Sequence, residues 1–290
     1  MNPVLADLLQ VLQLERLEIN LFRGVSRDLG FPQVFGGQVL GQALAAASAT
    51  INAKPGESLR YAHSLHAYFL LPGDVRAPII YEVDRSRDGG NFSSRRVVAI
   101  QHGQQIFHMS ASFQTEQSGL DHQLDMPQVP GPETLPDIRE LVAKSNDIPP
   151  ELKGWFSVPL PIEFRAVNPE ELMSAHPSRP STQFWFRAVD ALPDDAVLHR
   201  SVLAYASDFY LLRTATQPHG IPFPSAKLRL ATIDHAMWFH RPLRVDDWLL
   251  YSIDSPSASG SRGLSRGSIF NRQGQLVASV AQEGLVRVRT

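Results

Sequence analysis

The sequence predicts an α+β fold built twice from one plan. Two runs, Val39–Ser48 and Val197–Thr214, carry small or apolar residues on nearly every helical face, so each reads as a helix wrapped by other structure. Each is followed by runs rich in β-branched and aromatic residues, the composition of strands. In each half the last two runs meet at a glycine turn, His102-Gly103 and then Gln273-Gly274, and Arg95 leads its glycine by the same interval as Arg266. Helix followed by antiparallel strands, twice, is a duplicated unit. The expected division is 1–118 for the first unit with an N-terminal helix, 119–161 for a connector, and 162–290 for the second unit.

Taken in order, Val4, Leu5, Leu8, Leu9, Val11 and Leu12 make an amphipathic first helix, and Leu17–Phe22 reads as a short strand. The helix lacks a cationic start and an unbroken apolar region, so it is not read as a signal peptide. After the Val39–Ser48 helix come strand-like runs at Leu59–Leu71, Ala77–Val83, Phe92–Gln101 and Gln105–Gln114. The stretch 119–161 is crowded with prolines, including Pro127, Pro130, Pro132, Pro136, Pro149 and Pro150, with one helix expected at Asp137–Lys144. It reads as a surface connector. The second half supplies strands at Phe184–Val189, Leu228–His240, Trp248–Ile253, Ser265–Asn271 and Gln275–Val286.

The run Arg229–Pro242 organises the second half. Regular alternation puts Thr232, Asp234, Ala236, Trp238 and His240 on one face and Ile233, His235, Met237 and Phe239 on the other. Its echo upstream is Ser64–Pro72, where His66-Ala67 answers His235-Ala236.

Composition excludes several classes of function. The 290 residues carry a net charge of -2, with no basic surplus for a nucleic-acid backbone. The absence of cysteine removes thiol nucleophiles, disulfides and thiolate metal sites. No run approaches a transmembrane span, and a cytoplasmic protein is expected. His63 and His66, three apart on a strand, are expected on opposite faces, as are His235 and His240, so neither pair closes on a metal. Lone strand histidines are more often packed than catalytic. Gly263-Leu-Ser-Arg-Gly267 matches a nucleophile elbow, but a strand and hairpin follow it and no Asp or His comes after Ser265. Gly36–Gly41 is no phosphate loop, because Gln42 and Ala43 replace the Lys and Ser/Thr.

Three residues stand out for chemistry. Asp208 falls within the second all-apolar helix, where a carboxylate is costly unless paired; a structural ion pair with Arg213 or a solvent-facing position explains it equally well. Thr232 reads in isolation as a residue chosen for strand propensity. Gln282 continues the apolar face of Leu276, Ala278 and Val280, or else marks a strand end emerging into water.

The blocks Val34–Val39, His63–Phe69, Tyr205–Asp208, Ala231–Trp238 and Gln282–Gly284 resemble the acyl-CoA thioesterase II family. The resemblance runs in order from about Leu21 to the C-terminus and omits the connector. It implies a double hotdog fold, two central helices each wrapped by a curved antiparallel sheet. It also implies hydrolysis of fatty acyl-CoA by a water held by Asp208, Thr232 and Gln282, with no cofactor or metal. A homo-oligomer, dimer or tetramer, is expected, without integral membrane association. Around the substrate the resemblance adds His63. Gly37 and Gln38, at the start of the first helix, are candidates to meet a developing oxyanion. The first helix carries no Asp or Glu between Gly36 and Thr50, so one active site per chain is expected. The alternatives are a hotdog-fold enoyl-CoA hydratase or dehydratase, and a non-catalytic acyl-CoA-binding module. One hydratase group carries a His five residues after its Asp, where this chain has Arg213.

Overall fold

The computed structural model describes residues 1–30, 32–51, 59–145, 153, 158–173, 176–221, 225 and 228–288. Phe31 and the Pro149-Pro150 end of the connector lie outside them. Helix α1 (Pro3–Leu12) starts where Asn2 accepts a hydrogen bond from the Val4 N–H, with proline in the first turn, and it buries Leu5, Leu8, Val11 and Leu12. The single strand expected over Leu17–Phe22 is instead a small hairpin, β1 (Glu15–Glu18) and β2 (Leu21–Gly24), because the chain reverses at Ile19-Asn20.

The first unit continues with α2 (Gly36–Ala49), β3 (Arg60–Phe69), β4 (Ile79–Asp88), β5 (Phe92–Gln101) and β6 (Gln104–Thr115). The β5–β6 turn places His102 and Gly103 both at positive φ, the geometry that suits a two-residue hairpin. Asp137 caps α3 (Ile138–Lys144), β7 (Ile162–Ala166) opens the second unit, and a short α4 (Pro169–Met173) follows. Next come β8 (Ser181–Ala188), α5 (Ala196–Ser207), β9 (Leu228–Thr232), β10 (Asp234–Phe239), β11 (Leu249–Ser259), β12 (Arg262–Asn271) and β13 (Leu276–Val288).

Among the described residues the strands form one sheet in the order β1-β2-β4-β5-β6-β3-β10-β13-β12-β11-β8-β7, with β9 beside β13. The two units join where β3 pairs antiparallel with β10, His66 standing opposite Ala236. That junction corrects the echo read from sequence. Paired across a two-fold relation, His66 corresponds to Ala236 and Leu65 to His235, so His66 is exposed while His235 is buried. The second correction concerns the arginines. Strands β5 and β12 have the same length and so match residue for residue, but the loop that follows is two residues after β5 and four after β12. Arg95 therefore corresponds to Ser265, not to Arg266. Arg95 is buried and Arg266 is an exposed partner of Asp254.

Helices α2 and α5 lie against each other on the inner side of the sheet, running antiparallel, since Gly37 meets the Tyr205 carbonyl and Gly41 meets that of Ser201. A Cβ at Gly37 would overlap the Tyr205 carbonyl oxygen and approach the Phe35 ring at 2.5 Å. Backbone cannot yield as a side chain does. Gly37→Ala is therefore expected to cost about 1–3 kcal/mol, seen as a fall of several degrees in Tm; an unchanged melt would refute this account of the helix contact.

Two longer expectations fail for identifiable reasons. The helix expected to run to Thr214 stops at Ser207, with Asp208 as its C-cap rather than a mid-helix residue. Tyr210 then takes φ 62, and a 3₁₀ segment follows over Leu212–His219. Positive φ is unfavourable for a tyrosine. Its ring is held by stacking on Phe184 at 4.7 Å and edge contact with Phe164 at 5.0 Å. Likewise Arg229–Pro242 is two strands, not one. Thr232 pairs with Gly284 and Ala236 with Ala281, four residues against three, so an extra residue at Ile233 shifts the alternation.

The connector crosses the outer face of the second unit. Met126, Val129 and Leu135 pack on Trp185, Trp248, Leu250, Phe270 and Leu276, and the Trp185 indole donates to the Pro130 carbonyl at 2.8 Å.

Candidate active site

Breaking strand and helix at those two places brings the three candidate residues together. The bulge at Ile233 turns Thr232 to the same side as His235, contrary to the regular alternation. The helix ending at Ser207 puts Asp208 at its tip. The Thr232 hydroxyl lies 3.1 Å from Asp208 Oδ1, and Gln282 Nε2 lies 3.0 Å from Thr232 Oγ1. Gln282 continues to His235, whose Nδ1 is 2.7 Å from Gln282 Oε1, and His235 Nε2 is 3.0 Å from Ser207 Oγ. Gln282 and His235 are each only 1% exposed, so these bonds compete with no solvent.

The direction of every bond follows from one end of the chain. The Thr232 hydroxyl donates to Asp208 Oδ1. Thr232 Oγ1 then accepts from the Gln282 amide, which leaves Gln282 Oε1 to accept from His235 Nδ1–H. Burial holds the His235 pKa below the ordinary imidazole value, against the opposing pull of the Asp208 charge and the Gln282 bond, so the ring is neutral at pH 7. A neutral ring with hydrogen on Nδ1 must accept at Nε2, and the Ser207 hydroxyl donates there. Its proton thus turns to the ring and not to the Ala204 carbonyl 2.9 Å away. The result is a one-way relay, Ser207 to His235 to Gln282 to Thr232 to Asp208.

One carboxylate oxygen remains. Asp208 Oδ2 faces the start of α2, where a Cβ on Gly36 would come within 2.7 Å of it and within 3.2 Å of the Phe69 ring. No side chain caps this helix end, so its first N–H groups and the positive end of its dipole border the same space.

The other sequence candidates fall differently. Gly37 packs against α5, as described. The Gln38 amide is engaged away from Asp208, accepting from the Arg27 N–H at 3.1 Å and donating to the Val25 carbonyl at 3.3 Å, so only its backbone belongs to the helix start. His63 is not brought to this set. A register shift between Ala62 and Ser64 turns it to the outer face, where Nε2 meets Ser112 Oγ at 2.8 Å and the ring meets Phe92. The expectation that His63 and His66 point to opposite faces is thereby overturned. Ser265 is fully buried in β12 opposite Gln282, with its hydroxyl unpartnered and no histidine bonded to it. Among the described residues no cluster of three or more His, Asp or Glu is placed to hold a metal.

His235 and Ser207 are the members that sequence reasoning missed. His235 is indeed packed and satisfied, but what satisfies it is Gln282. The available signal was its place beside Met237 and Phe239 on the inward face of β10.

Comparison with known proteins decides the family. Residues 160–285 match the acyl-CoA thioesterase family model, and residues 27–114 match that of the acyl-CoA thioesterase N-terminal domain. Acyl-CoA thioesterase 2 of Haemophilus influenzae is 43% identical over 289 residues, covering 99% of both chains. The chain belongs to the acyl-CoA thioesterase family. Human acyl-coenzyme A thioesterase 8 is 40% identical, over 96% of this chain and 88% of its own. Among solved structures, acyl-CoA thioesterase II of Mycobacterium marinum superposes with a TM-score of 0.79 at 42% identity, covering 98% of this chain and 99% of that one. A hotdog-fold protein of Alicyclobacillus acidocaldarius superposes with a TM-score of 0.77 at 19% identity, covering 98% of this chain and 99% of that one, a likeness of fold alone. The thioesterase fold here is a double hotdog of the α+β class, with α2 and α5 as its two central helices. Among the described residues no helix is long and apolar enough to cross a membrane.

Proposed function

We propose that this thioesterase hydrolyses fatty acyl-CoA to free fatty acid and CoA by direct attack of water. The observation that carries the reading is the one-way relay ending on Asp208, whose other oxygen faces the uncapped start of α2. Asp208 accepts a proton from water at Oδ2 as the water oxygen bonds to the thioester carbonyl carbon. The charge gathering on the carbonyl oxygen meets the first N–H groups of α2 at Gly36 and Gly37. Collapse breaks the C–S bond, and the leaving thiolate takes the proton that Asp208 received. Thr232 and Gln282 hold the carboxylate in one orientation, which is worth most when the attacking atom has a single productive line.

The test is CoA release from palmitoyl-CoA, followed with a thiol-trapping dye from the first turnover. Release is expected without a burst and with no acylated serine, and Ser265→Ala is expected to keep most activity. A stoichiometric burst with a covalent acyl-serine would overturn direct attack. No release at all would favour an acyl-CoA-binding module. Hydration of an enoyl-CoA without release would favour the hydratase reading.

Thr232→Ala and Gln282→Ala are each expected to lower kcat about tenfold, the worth of one hydrogen bond to or toward a charge. Because both act through the same carboxylate, the double variant is expected to lose less than the product of the two. Strictly multiplicative losses, or losses confined to KM, would make them substrate-positioning groups instead.

The same reading includes the unit boundaries 1–118, 119–161 and 162–290, supported by the two separate family matches. It also includes a cytoplasmic homo-oligomer. Tyr68, Leu70 and Leu71 are exposed near the β3–β10 junction, which supports a subunit interface there. Light scattering on the eluting protein measures the assembly.

A further inference from the structure

The duplication that built one active site also places its counterpart at the other end of the helix pair. The relation set by His66 and Ala236 carries Thr232 to Ala62 and Phe69 to Phe239. The matching C-caps of α5 and α2 carry Asp208 to Thr50. Ser265 becomes Arg95, and its partner Gln282 becomes Ala111. No counterpart of Asp208, of the hydroxyl–amide pair or of the histidine relay survives there, and the acid that is present, Asp88, pairs with Arg95 at 2.7 Å. Arg95 instead donates to Thr50 Oγ1 at 2.8 Å and to the Thr50 carbonyl at 3.2 Å, closing the space where a catalytic carboxylate would stand.

Yet the mouth of this counterpart is open. A cavity of about 730 Å³ lies there, lined by Tyr61, Ala62 and Phe239 on the sheet, by His199 and Arg200 near the start of α5, and by Leu243. It is separated from Asp208 by the length of α5, 12 residues and so about 18 Å.

Its charges are unequal in availability. Arg241 is engaged with Asp121, Arg244 with Asp194 and Asp246, and Arg272 with Glu133. Arg200 differs. It donates from Nε to the Ala62 carbonyl at 3.2 Å and from Nη1 to the Ala196 carbonyl at 3.0 Å, and its guanidinium lies over the Tyr61 ring at 4.8 Å. Among the described residues no carboxylate pairs with it, and Glu116 acts on it only through space. Beside it, His199 is 2% exposed; its Nδ1 accepts from the Val245 N–H at 3.1 Å, which leaves Nε2–H as a buried donor without a partner. One unneutralised cation and one orphaned donor, with the Tyr61 and Phe239 rings against the guanidinium and Leu243 also in an otherwise largely polar lining, match a ligand with a single negative charge and an apolar body. A polyanion such as the nucleotide end of CoA is disfavoured by Glu116 and Asp247, which also line the cavity.

We propose that this cavity is a second, non-hydrolytic site that binds a long-chain fatty carboxylate, with Arg200 as its counter-ion. Resting on the thioesterase reading, the ligand is of the class the enzyme releases, so the degenerate half of the duplication holds product while the other half makes it.

The test is titration of the full-length protein with oleate, by calorimetry and by the carboxyl resonance of [1-¹³C]oleate. The wild type is expected to show a binding component that Arg200→Gln weakens at least about tenfold. Leu243→Trp, which adds bulk at another residue lining the cavity, is expected to remove the same component, and free CoA is expected not to displace it. Initial rates of palmitoyl-CoA hydrolysis are expected to stay within about twofold in both variants. Oleate binding unchanged in both, or competed away by CoA, would overturn the proposal. A wild type that binds oleate as described but releases no CoA would refute the hydrolytic reading and leave this site standing.

Discussion

Asp208→Asn is expected to lower kcat by about 10²–10⁴, the usual worth of a positioned general base, while leaving the fold and KM nearly unchanged. The reason lies in what asparagine keeps and what it loses. Its amide oxygen still accepts the Thr232 hydroxyl, so the 3.1 Å contact and the relay behind it persist. Its NH₂ group then faces the start of α2, where Oδ2 stood against Gly36. That group takes no proton from water, and it presents hydrogens to a helix end already rich in them. Steady-state CoA release with a parallel thermal melt separates the two effects. A stable variant that turns over near the wild-type rate would remove Asp208 from the chemistry. A variant that fails to fold would instead make Asp208 a structural cap.

The repeated plan was legible in the sequence because it rests on periodicity. An all-apolar helix and alternating strands keep their pattern whatever surrounds them, and β5 falls at Phe92–Gln101 as expected. What sequence reasoning missed was set by tertiary packing. Nothing in Asp208-Phe-Tyr-Leu announces that an aromatic cluster of Phe164 and Phe184 will hold Tyr210 in the left-handed region and end the helix. A single extra residue at Ile233 moves Thr232 to the other face, and alternation counted along one strand cannot show a bulge that its partner defines. The shift at His63 is the same failure in the first unit. Asp208, Thr232 and Gln282 were singled out by residue type and by family resemblance. Their meeting at one point depends on both irregularities.

His235→Phe is the second large effect, reached through Gln282. Phenylalanine keeps the bulk of the ring but leaves Gln282 Oε1 buried without this partner, while the Ser207 hydroxyl turns to the Ala204 carbonyl 2.9 Å away. The protein is expected to lose about 1–3 kcal/mol of stability on that account. An amide freed at one end turns, and with it goes the orientation of Thr232, so kcat is expected to fall by about 10–10² with KM little changed. His235→Asn supplies an N–H near the place of Nδ1 and is expected to recover part of both losses, a rescue that bulk alone does not explain. The pH profile distinguishes the two further. Because burial depresses the folded-state pKa of His235, the unfolded chain binds the proton more readily. Wild-type stability is therefore expected to rise with pH through the interval from that depressed value to about 6.5, the unfolded imidazole value, and to be fully present above it. Below the interval the ring is cationic in both states, and its second N–H can no longer accept from Ser207. His63, His199 and His240 are also held low by burial and contribute to the same slope in every variant. The quantity to read is thus the difference between wild type and His235→Asn, in urea midpoints measured from pH 5 to 8. A smaller slope in the variant, with kcat losing its acid-side fall in step, supports His235 as a neutral orienting group. Identical slopes would mean that its proton plays no part in holding Gln282.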